Sequence, residues 1–192
     1  MSKKHIVPDI GERPAKLPEL REEAHSLRAL MKEDKISTEA LNKMGIALAQ
    51  FLDSSPVPTF VLDANHTITH WNKACEYVLG YSAAGMISTQ KQWKPFYPEK
   101  RPVLADLMLN QHEAHPDLHR YYADINTPSQ LIKGAYEAKD FFPNLGESGL
   151  WLHFTAAPLY NEDGKIVGAI ETLEDITERC EAENALRQAQ VN

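Results

Sequence analysis

Lys165-Ile-Val-Gly-Ala-Ile-Glu-Thr-Leu-Glu-Asp-Ile-Thr177 is the stretch that decides the fold. It follows Asp163-Gly164, a dipeptide that favours a tight turn because glycine accepts a positive φ at little cost. Its first half is apolar and rich in β-branched residues, which favour a strand. Its end, Asp175-Ile176-Thr177, offers short polar side chains that can cap a helix. The pattern therefore predicts a central strand that leads directly into a helix.

One acidic residue, Glu171, interrupts this apolar strand. Strand side chains alternate between the two faces of a sheet, so Glu171 shares a face with Val167, Ala169 and Leu173. Both faces are largely apolar, and we expect both to be covered. We therefore expect the Glu171 carboxylate to point into a covered region rather than into bulk water.

Composition and charge narrow the class of protein. The chain has 192 residues and a formal net charge of −7, from 20 Lys and Arg against 27 Asp and Glu. This balance argues against a nucleic-acid partner or an anionic membrane surface, because both require a basic patch. The two cysteines, Cys75 and Cys180, lack a CxxC spacing, which indicates a reducing compartment and hence a cytoplasmic location.

The sequence contains no signal for a membrane span, a signal peptide or a catalytic centre. No apolar run approaches the roughly 18–20 residues of a membrane span, and the polar N-terminus lacks the apolar core of a signal peptide. The motifs GxGxxG, GxxxxGK[ST], GxSxG and HExxH are all missing. We therefore expect a protein that is not an enzyme.

The N-terminal third has the pattern of helices. Apolar residues at helical spacing predict one helix from Leu17 to about Asp34. Ser37-Thr38-Glu39 has the pattern of a cap and predicts a second helix that ends near Leu52. Each of these helices has one apolar stripe, which needs a partner surface.

The remainder alternates short strands with short helices. A strand pair is predicted at 57–63 and 67–71, and Asn72 then caps a helix that Gly80 ends. A further helix is expected from Glu99 to about His112, with Pro102 in its first turn. Residues 113–133 show no clear pattern. A strong strand at 150–157 then forms a hairpin with the opening stretch, and a polar helix follows it.

This order and several motifs resemble the PAS domain over about residues 53–177. The motifs with this resemblance are Phe60-Val-Leu-Asp63 with Ile68-Thr-His-Trp-Asn72, the segment from Asn72 to Tyr81, Pro158 to Gly164, and Gly168 to Thr177. The resemblance implies an α+β fold with a five-stranded antiparallel sheet and short helices on one face, enclosing a small pocket. It also implies three parts: an N-terminal leader and helical cap at 1–52, a sensor domain at 53–177 and a C-terminal signalling helix at 178–192.

The same resemblance implies a role in bacterial signal transduction. We expect a sensory module that binds a small-molecule ligand, forms a homodimer and acts on an effector domain or a partner signalling protein. The alternatives are a PAS module without ligand that serves dimerisation or docking, and a haem-based gas or redox sensor. In the haem alternative His112 or His115 is the axial ligand, although such histidines also occur in solvated loops. The sequence identifies no particular cofactor.

Residues from several predicted elements are candidates for the ligand pocket. Glu171 and Leu173 share a face with Leu152 and Phe154 of the neighbouring strand, and Tyr136 is assigned to the same pocket. Trp93 and Tyr97 either line the pocket or fill the core beneath a loop.

Two of these candidates carry charge, and both have alternatives. Arg101 either clamps an anionic ligand group or is exposed at a helix start. Glu171 either contacts the ligand, forms an internal ion pair with Arg101, Lys133 or Lys139, or lies in a strand register that leaves it exposed to water.

The signal is expected to leave through the junction of strand and helix. Asp175 and Thr177 lie at this junction, where their side chains can cap the exit helix and fix its angle to the sheet.

Overall fold

The computed structural model describes residues 16–110, 116–122 and 126–191. The chain divides after Leu48 into two compact units. The described elements, in chain order, are α1 (Lys16–Asp53), β1 (Thr59–Asp63), β2 (Ile68–Trp71), α2 (Lys73–Leu79), α3 (Ala83–Met86), α4 (Leu104–Met108), α5 (Pro116–Tyr122), β3 (Asn126–Pro128), β4 (Tyr136–Phe142), β5 (Leu150–Tyr160), β6 (Ile166–Asp175) and α6 (Thr177–Val191).

Helix α1 is one continuous helix of 38 residues, so the predicted break at Ser37-Thr38-Glu39 is wrong. The reason is local. Neither glycine nor proline lies near this segment, and Ser or Thr inside a helix costs at most about 0.7 kcal/mol each. Large apolar side chains of α1 are exposed, among them Leu41, Met44 and Leu48. Within the described residues, no helix is both long enough and apolar enough to cross a membrane.

The sheet has six strands in the order β2-β1-β6-β5-β4-β3, with antiparallel neighbours throughout. The predicted α+β class with an antiparallel sheet is confirmed, but the predicted number of five strands is wrong. The sixth strand is β3, in the segment without a readable pattern. It has three residues, and Asn126 lies opposite Ala138 of β4. It ends in Pro128, which an edge strand tolerates because proline lacks a donor for the ladder.

Strand β6, predicted as the central strand, pairs with β1 on one side and with β5 on the other. Glu171 lies between Phe60 of β1 and Ala156 of β5 in this register. Gly168 permits the close approach of β1, since a Cβ at this position would lie 2.6 Å from the carbonyl oxygen of Leu62. The register of the central strands therefore depends on a residue without a side chain.

One face of the sheet forms the core with the short helices. Its buried side chains include Phe60 and Leu62 of β1, Leu152 and Phe154 of β5, and Leu173 of β6. Helix α4 contacts β1, β5 and β6 from this side. On β6, Ala169, Glu171 and Leu173 are buried as the alternation predicts, whereas Val167 near the start of the strand is 46% exposed. The opposite face, with Ile166, Ile170 and Thr172, is half-buried.

Helix α4 is much shorter than the helix predicted from Glu99 to about His112. It begins at Leu104, because the Asp106 side chain accepts a hydrogen bond from the Val103 amide at 2.9 Å. Pro102 lies before this start rather than in the first turn, and it disfavours helical backbone at Arg101. The predicted end at His112 lies outside the described residues.

Asn72 caps α2 as predicted, and its side chain binds four backbone groups in three segments of the chain. Its Oδ1 accepts hydrogen bonds from the Cys75 and Thr59 amides, both at 3.0 Å. Its Nδ2 donates to the carbonyl oxygens of Leu52 at 3.0 Å and Val57 at 2.9 Å. The side chain is 1% exposed, so the end of α1, the start of β1 and the start of α2 share one buried polar residue.

Candidate functional site

The carboxyl group of Glu171 is buried between the sheet and α4. The side chain is 2% exposed, and its Oε2 accepts a hydrogen bond from the Ala105 amide at 2.7 Å. Ala105 lies in the first turn of α4, where backbone N–H groups have no partner within the helix. Glu171 therefore holds the start of α4 against the central strand.

Burial has a large effect on this carboxyl group. Loss of hydration raises the pKa of Glu171 to about 8, the Ala105 hydrogen bond opposes this rise, and the negative charge of Asp106 adds to it. Among the residues that the structure describes, Glu171 forms no ion pair, so the predicted alternative partners Arg101, Lys133 and Lys139 do not neutralise it. Near neutral pH the group is therefore largely protonated, and it can donate as well as accept a hydrogen bond.

A small cavity of about 10 Å³ lies beside Glu171. Its lining is mostly aromatic and apolar, and consists of Phe96, Tyr97, Val103, Tyr122, Phe142, Phe154, Glu171 and Leu173. A cavity of this size holds about one water molecule at most. In this conformation the core is nearly filled, and a larger ligand requires the aromatic layer to move.

Two tyrosines bring hydroxyl groups to this cavity. The hydroxyls of Tyr97 and Tyr122 lie 3.2 Å apart and share a hydrogen bond. Burial raises the pKa of Tyr97 and raises that of Tyr122 well above its usual value. Both hydroxyls are therefore neutral near pH 7, and with Glu171 they supply the polar groups of an otherwise apolar site.

The structure brings four predicted pocket residues together and places four elsewhere. Glu171, Leu173, Phe154 and Tyr97 all line the cavity. The other four do not line it: Leu152 is buried in the core, Tyr136 is half-buried on β4 opposite Ala156, and Trp93 and Arg101 line a separate outer cleft.

Arg101 lines the outer cleft and contacts Tyr97 and Tyr122, which line the inner cavity. Its guanidinium carbon lies 3.9 Å from the centre of the Tyr97 ring, and the rings of Tyr121 and Tyr122 lie at 5.0 and 5.2 Å. One guanidinium nitrogen donates to the Tyr121 carbonyl oxygen at 3.1 Å. Arg101 is thus half-buried against three aromatic rings rather than exposed at a helix start.

Sequence analysis missed a second buried carboxylate, Asp106, on the outer side of α4. Its Oδ1 accepts from the Gln92 side chain at 2.8 Å and pairs with His66 Nδ1 at 2.7 Å. The hydrogen bond with Asp106 raises the pKa of His66, although partial burial opposes the rise. An acidic residue inside the apolar run Val103–Met108 was the available signal, and it is the same kind of signal that identified Glu171.

The predicted junction of strand and helix forms a compact set of hydrogen bonds. Asp175 Oδ1 accepts from the amide of Thr177 at 2.9 Å and from its hydroxyl at 2.6 Å. The same hydroxyl accepts from the Trp151 amide at 3.0 Å. The start of α6 is therefore tied to both β6 and β5.

The predicted haem ligands and the described His, Cys, Asp and Glu residues fall in different parts of the chain. Within the described ranges, no group of three or more His, Cys, Asp or Glu residues could hold a metal ion. The candidate haem ligands His112 and His115 lie outside those ranges. The haem alternative therefore stays a prediction.

The fold and the interior define a class of domain: an antiparallel sheet whose central strand leads into a C-terminal helix, with short helices over one face. The sequence model of the family described as PAS fold matches residues 52–181. The chain belongs to the PAS fold family.

Several solved structures have a similar fold at low sequence identity. An RNA-binding light-oxygen-voltage receptor is 18% identical with a TM-score of 0.53 over 78% of this chain, which spans 38% of that receptor. The PAS domain of BvgS from Bordetella pertussis is 18% identical with a TM-score of 0.47, covering 79% of this chain and 98% of that one. A sensory box sensor histidine kinase from Vibrio cholerae is 14% identical with a TM-score of 0.38, covering 73% and 98%. No curated protein matches the sequence significantly.

Proposed function

We propose that the protein is the sensory module of a signal-transduction protein, in which a small molecule binds between the sheet and α4 and helix α6 transmits the change. The observation that carries this proposal is the buried carboxyl group of Glu171, which lines the cavity and also holds the Ala105 amide. A ligand that hydrogen-bonds to Glu171 competes with this contact. Binding and the position of α4 are then linked through one side chain.

The cavity beside Glu171 is too small for a ligand unless the surrounding side chains move. A volume of about 10 Å³ is far below the roughly 300–1,000 Å³ of common ligand sites. The aromatic side chains of the 96–97 loop and of α5 therefore move away from the sheet when the ligand enters. The ligand is small and largely apolar, with one polar group for Glu171 and the two tyrosine hydroxyls.

Strand β6 connects this site to the exit helix. Glu171 and Asp175 are four residues apart on the strand, a distance of roughly 13 Å. A change of strand twist at Glu171 reaches Asp175, whose carboxylate holds the first amide of α6. The ligand transmits a signal only if it favours one of two arrangements of this helix, because equal affinity for both shifts nothing.

The test uses methyl-labelled full chain and three small neutral probes: phenol, indole and benzamide. We expect binding to shift the Leu173 methyl resonances. Glu171→Gln should weaken binding by roughly tenfold, because an amide nitrogen, which can only donate, replaces one of the two carboxyl oxygens that can accept a hydrogen bond from the ligand. Glu174→Gln is the matched control, because Glu174 lies three residues after Glu171 on the same strand and its side chain is exposed. Equal binding by Glu171→Gln and the parent would show that the carboxyl group is structural.

We further propose that the module acts as a homodimer through α1. Leu41, Met44 and Leu48 lie within about 60° of one another around the helix and are exposed. Such a stripe is stabilised when a second copy covers it. Leu41→Glu with Leu48→Glu should halve the mass in solution measured by light scattering, whereas Gln50→Glu, on the other side of the helix, should not. A monomeric parent would contradict this part of the proposal.

The second candidate function is a PAS module that docks or dimerises without ligand, and the nearly filled cavity favours it. Mass spectrometry of small molecules released from the purified chain, together with the probe titration, separates the two functions. An absorbance spectrum tests the haem alternative, which no described residue supports.

A further inference from the structure

A second hollow, of about 460 Å³, lies on the outer side of α4. We call it the outer cleft, and its polar lining includes His66, Gln90, Lys100, Arg101 and Asn110. It shares no lining residue with the cavity beside Glu171. Its volume falls in the range of about 300–1,000 Å³ that is usual for small-molecule sites.

The outer cleft carries positive charge without a matching carboxylate. Among the residues that the structure describes, neither Lys100 nor Arg101 forms an ion pair. Lys100 and His66 line the same cleft, and the positive charge of Lys100 partly opposes the rise that the Asp106 hydrogen bond causes in the pKa of His66. These positive charges contrast with the net charge of −7 of the whole chain, and they make the cleft a favourable site for an anion.

The Asp106 carboxylate, which lines the cleft, already has partners. Asp106 is buried and accepts hydrogen bonds from Gln92 and the Val103 amide, and it pairs with His66. It therefore compensates His66 and forms no ion pair with Lys100 or Arg101. Among the described residues, the buried Nε of Arg101 has no hydrogen-bond partner, which is uncommon for a buried polar atom.

Apolar surface lies beside these charges. Trp93, Pro102 and Tyr121 are half-buried in the wall of the cleft, and Leu107 is buried behind them. Flat side chains of this kind contact a flat ligand at little cost in conformational freedom. The exposed amides of Gln90 and Asn110 can orient its polar edge.

We propose that the outer cleft binds a small organic anion, in which a carboxylate or phosphate group contacts Lys100 and Arg101 and a flat apolar body contacts Trp93. This site is independent of the proposed ligand site beside Glu171. A ligand here contacts the outer face of α4, whereas a ligand beside Glu171 contacts its inner side.

The experiment is a titration of the nitrogen-labelled full chain with benzoate, phenyl phosphate, inorganic phosphate and the neutral benzyl alcohol, followed by nuclear magnetic resonance. We expect an aromatic anion to shift the Trp93 indole signal and to bind roughly tenfold more tightly than benzyl alcohol, because charge-assisted hydrogen bonds are the stronger ones. Comparison of benzoate with phenyl phosphate identifies the preferred anionic group. Inorganic phosphate measures how much the apolar body contributes.

Matched variants test the assignment to particular residues. Lys100→Gln should weaken the better anion by roughly tenfold, and Gln90→Glu should weaken it by placing a like charge in the cleft. Lys94→Gln removes the same charge from an exposed residue of the neighbouring loop that does not line the cleft, and it should leave affinity unchanged.

Two results would overturn the proposal: no shift of the Trp93 indole up to the solubility of the salts, or equal weakening by Lys100→Gln and Lys94→Gln. Binding at the proposed inner site is detected by the Leu173 methyl resonances, and binding in the outer cleft by the Trp93 indole signal. A negative result for one site is therefore distinguishable from a negative result for the other.

Discussion

Replacement of Glu171 by glutamine should make the protein more stable near neutral pH and should remove part of its pH dependence. The variant keeps an oxygen that can accept the Ala105 hydrogen bond. It removes the group that must bind a proton, or remain charged while buried, above pH 4.5. The chain thus offers a nearly isosteric test of the buried carboxyl group.

The direction in which stability changes with pH follows from the pKa of Glu171 in the unfolded state and its pKa in the native state. Burial raises the pKa of Glu171 from 4.5 to about 8, so the native state holds a proton that the unfolded state releases in this range. The unfolded state therefore gains stability as pH rises, by about 1.4 kcal/mol per pH unit. The free energy of unfolding of the parent should fall between these pKa values, on the order of 3 kcal/mol from pH 5 to pH 7.5. Above about pH 8 the contribution should level off.

Urea unfolding, followed by tryptophan fluorescence from about pH 5 to about pH 8, measures this effect. The quantity to compare is the stability of Glu171→Gln minus that of the parent, because the raised pKa of His66 adds a fall of the same sign in both proteins. This difference should grow with pH, while the difference for Glu162→Gln, an exposed residue of the turn before β6, should stay flat. A difference for Glu171→Gln that does not change with pH would refute a protonated Glu171 in the native state.

Three further substitutions test the fold and the exit. Asp175→Ala should cost about 1 kcal/mol at the start of α6, seen as faster amide hydrogen exchange there; unchanged exchange would show that the cap is dispensable. Asn72→Ala should lower the free energy of unfolding by about 3 kcal/mol or more, since it leaves several buried backbone groups unpaired; a loss under about 1 kcal/mol would mean that water replaces the side chain. Gly168→Ala should cost about 1–3 kcal/mol through the contact with the Leu62 carbonyl oxygen, and calorimetry showing an unchanged melting temperature would contradict the register.

Sequence reasoning succeeded where one residue has a direct physical signature. An acidic residue in an apolar strand pointed to Glu171, and a capping pattern pointed to Asn72 and to Asp175. These features depend on residues close in sequence, so alternation and capping rules suffice to find them.

The missed features depend on contacts between distant parts of the chain. The Glu171 carboxyl group accepts from the backbone of Ala105, and a backbone amide has no signature of its own in the sequence. Asp106 is buried because His66 and Gln92 meet it from other segments. Likewise β3 exists through its pairing with β4, since three residues that end in proline carry no strand periodicity.

The hydrogen bonds of Asn72 link the end of α1 to β1, the strand that pairs with the central strand β6. This side chain holds the Leu52 carbonyl oxygen and the Thr59 amide, and the residue after Thr59 is the cross-strand neighbour of Glu171. A twist applied to the last turn of α1 therefore enters the sheet one position from the proposed sensing residue. Thermodynamic reciprocity gives the consequence for the proposed function: if a ligand at Glu171 shifts the end of α1, a partner that holds α1 in the shifted position raises the affinity for that ligand by the same factor. Under that proposal, a partner of α1 acts on the ligand site as much as the ligand acts on the partner.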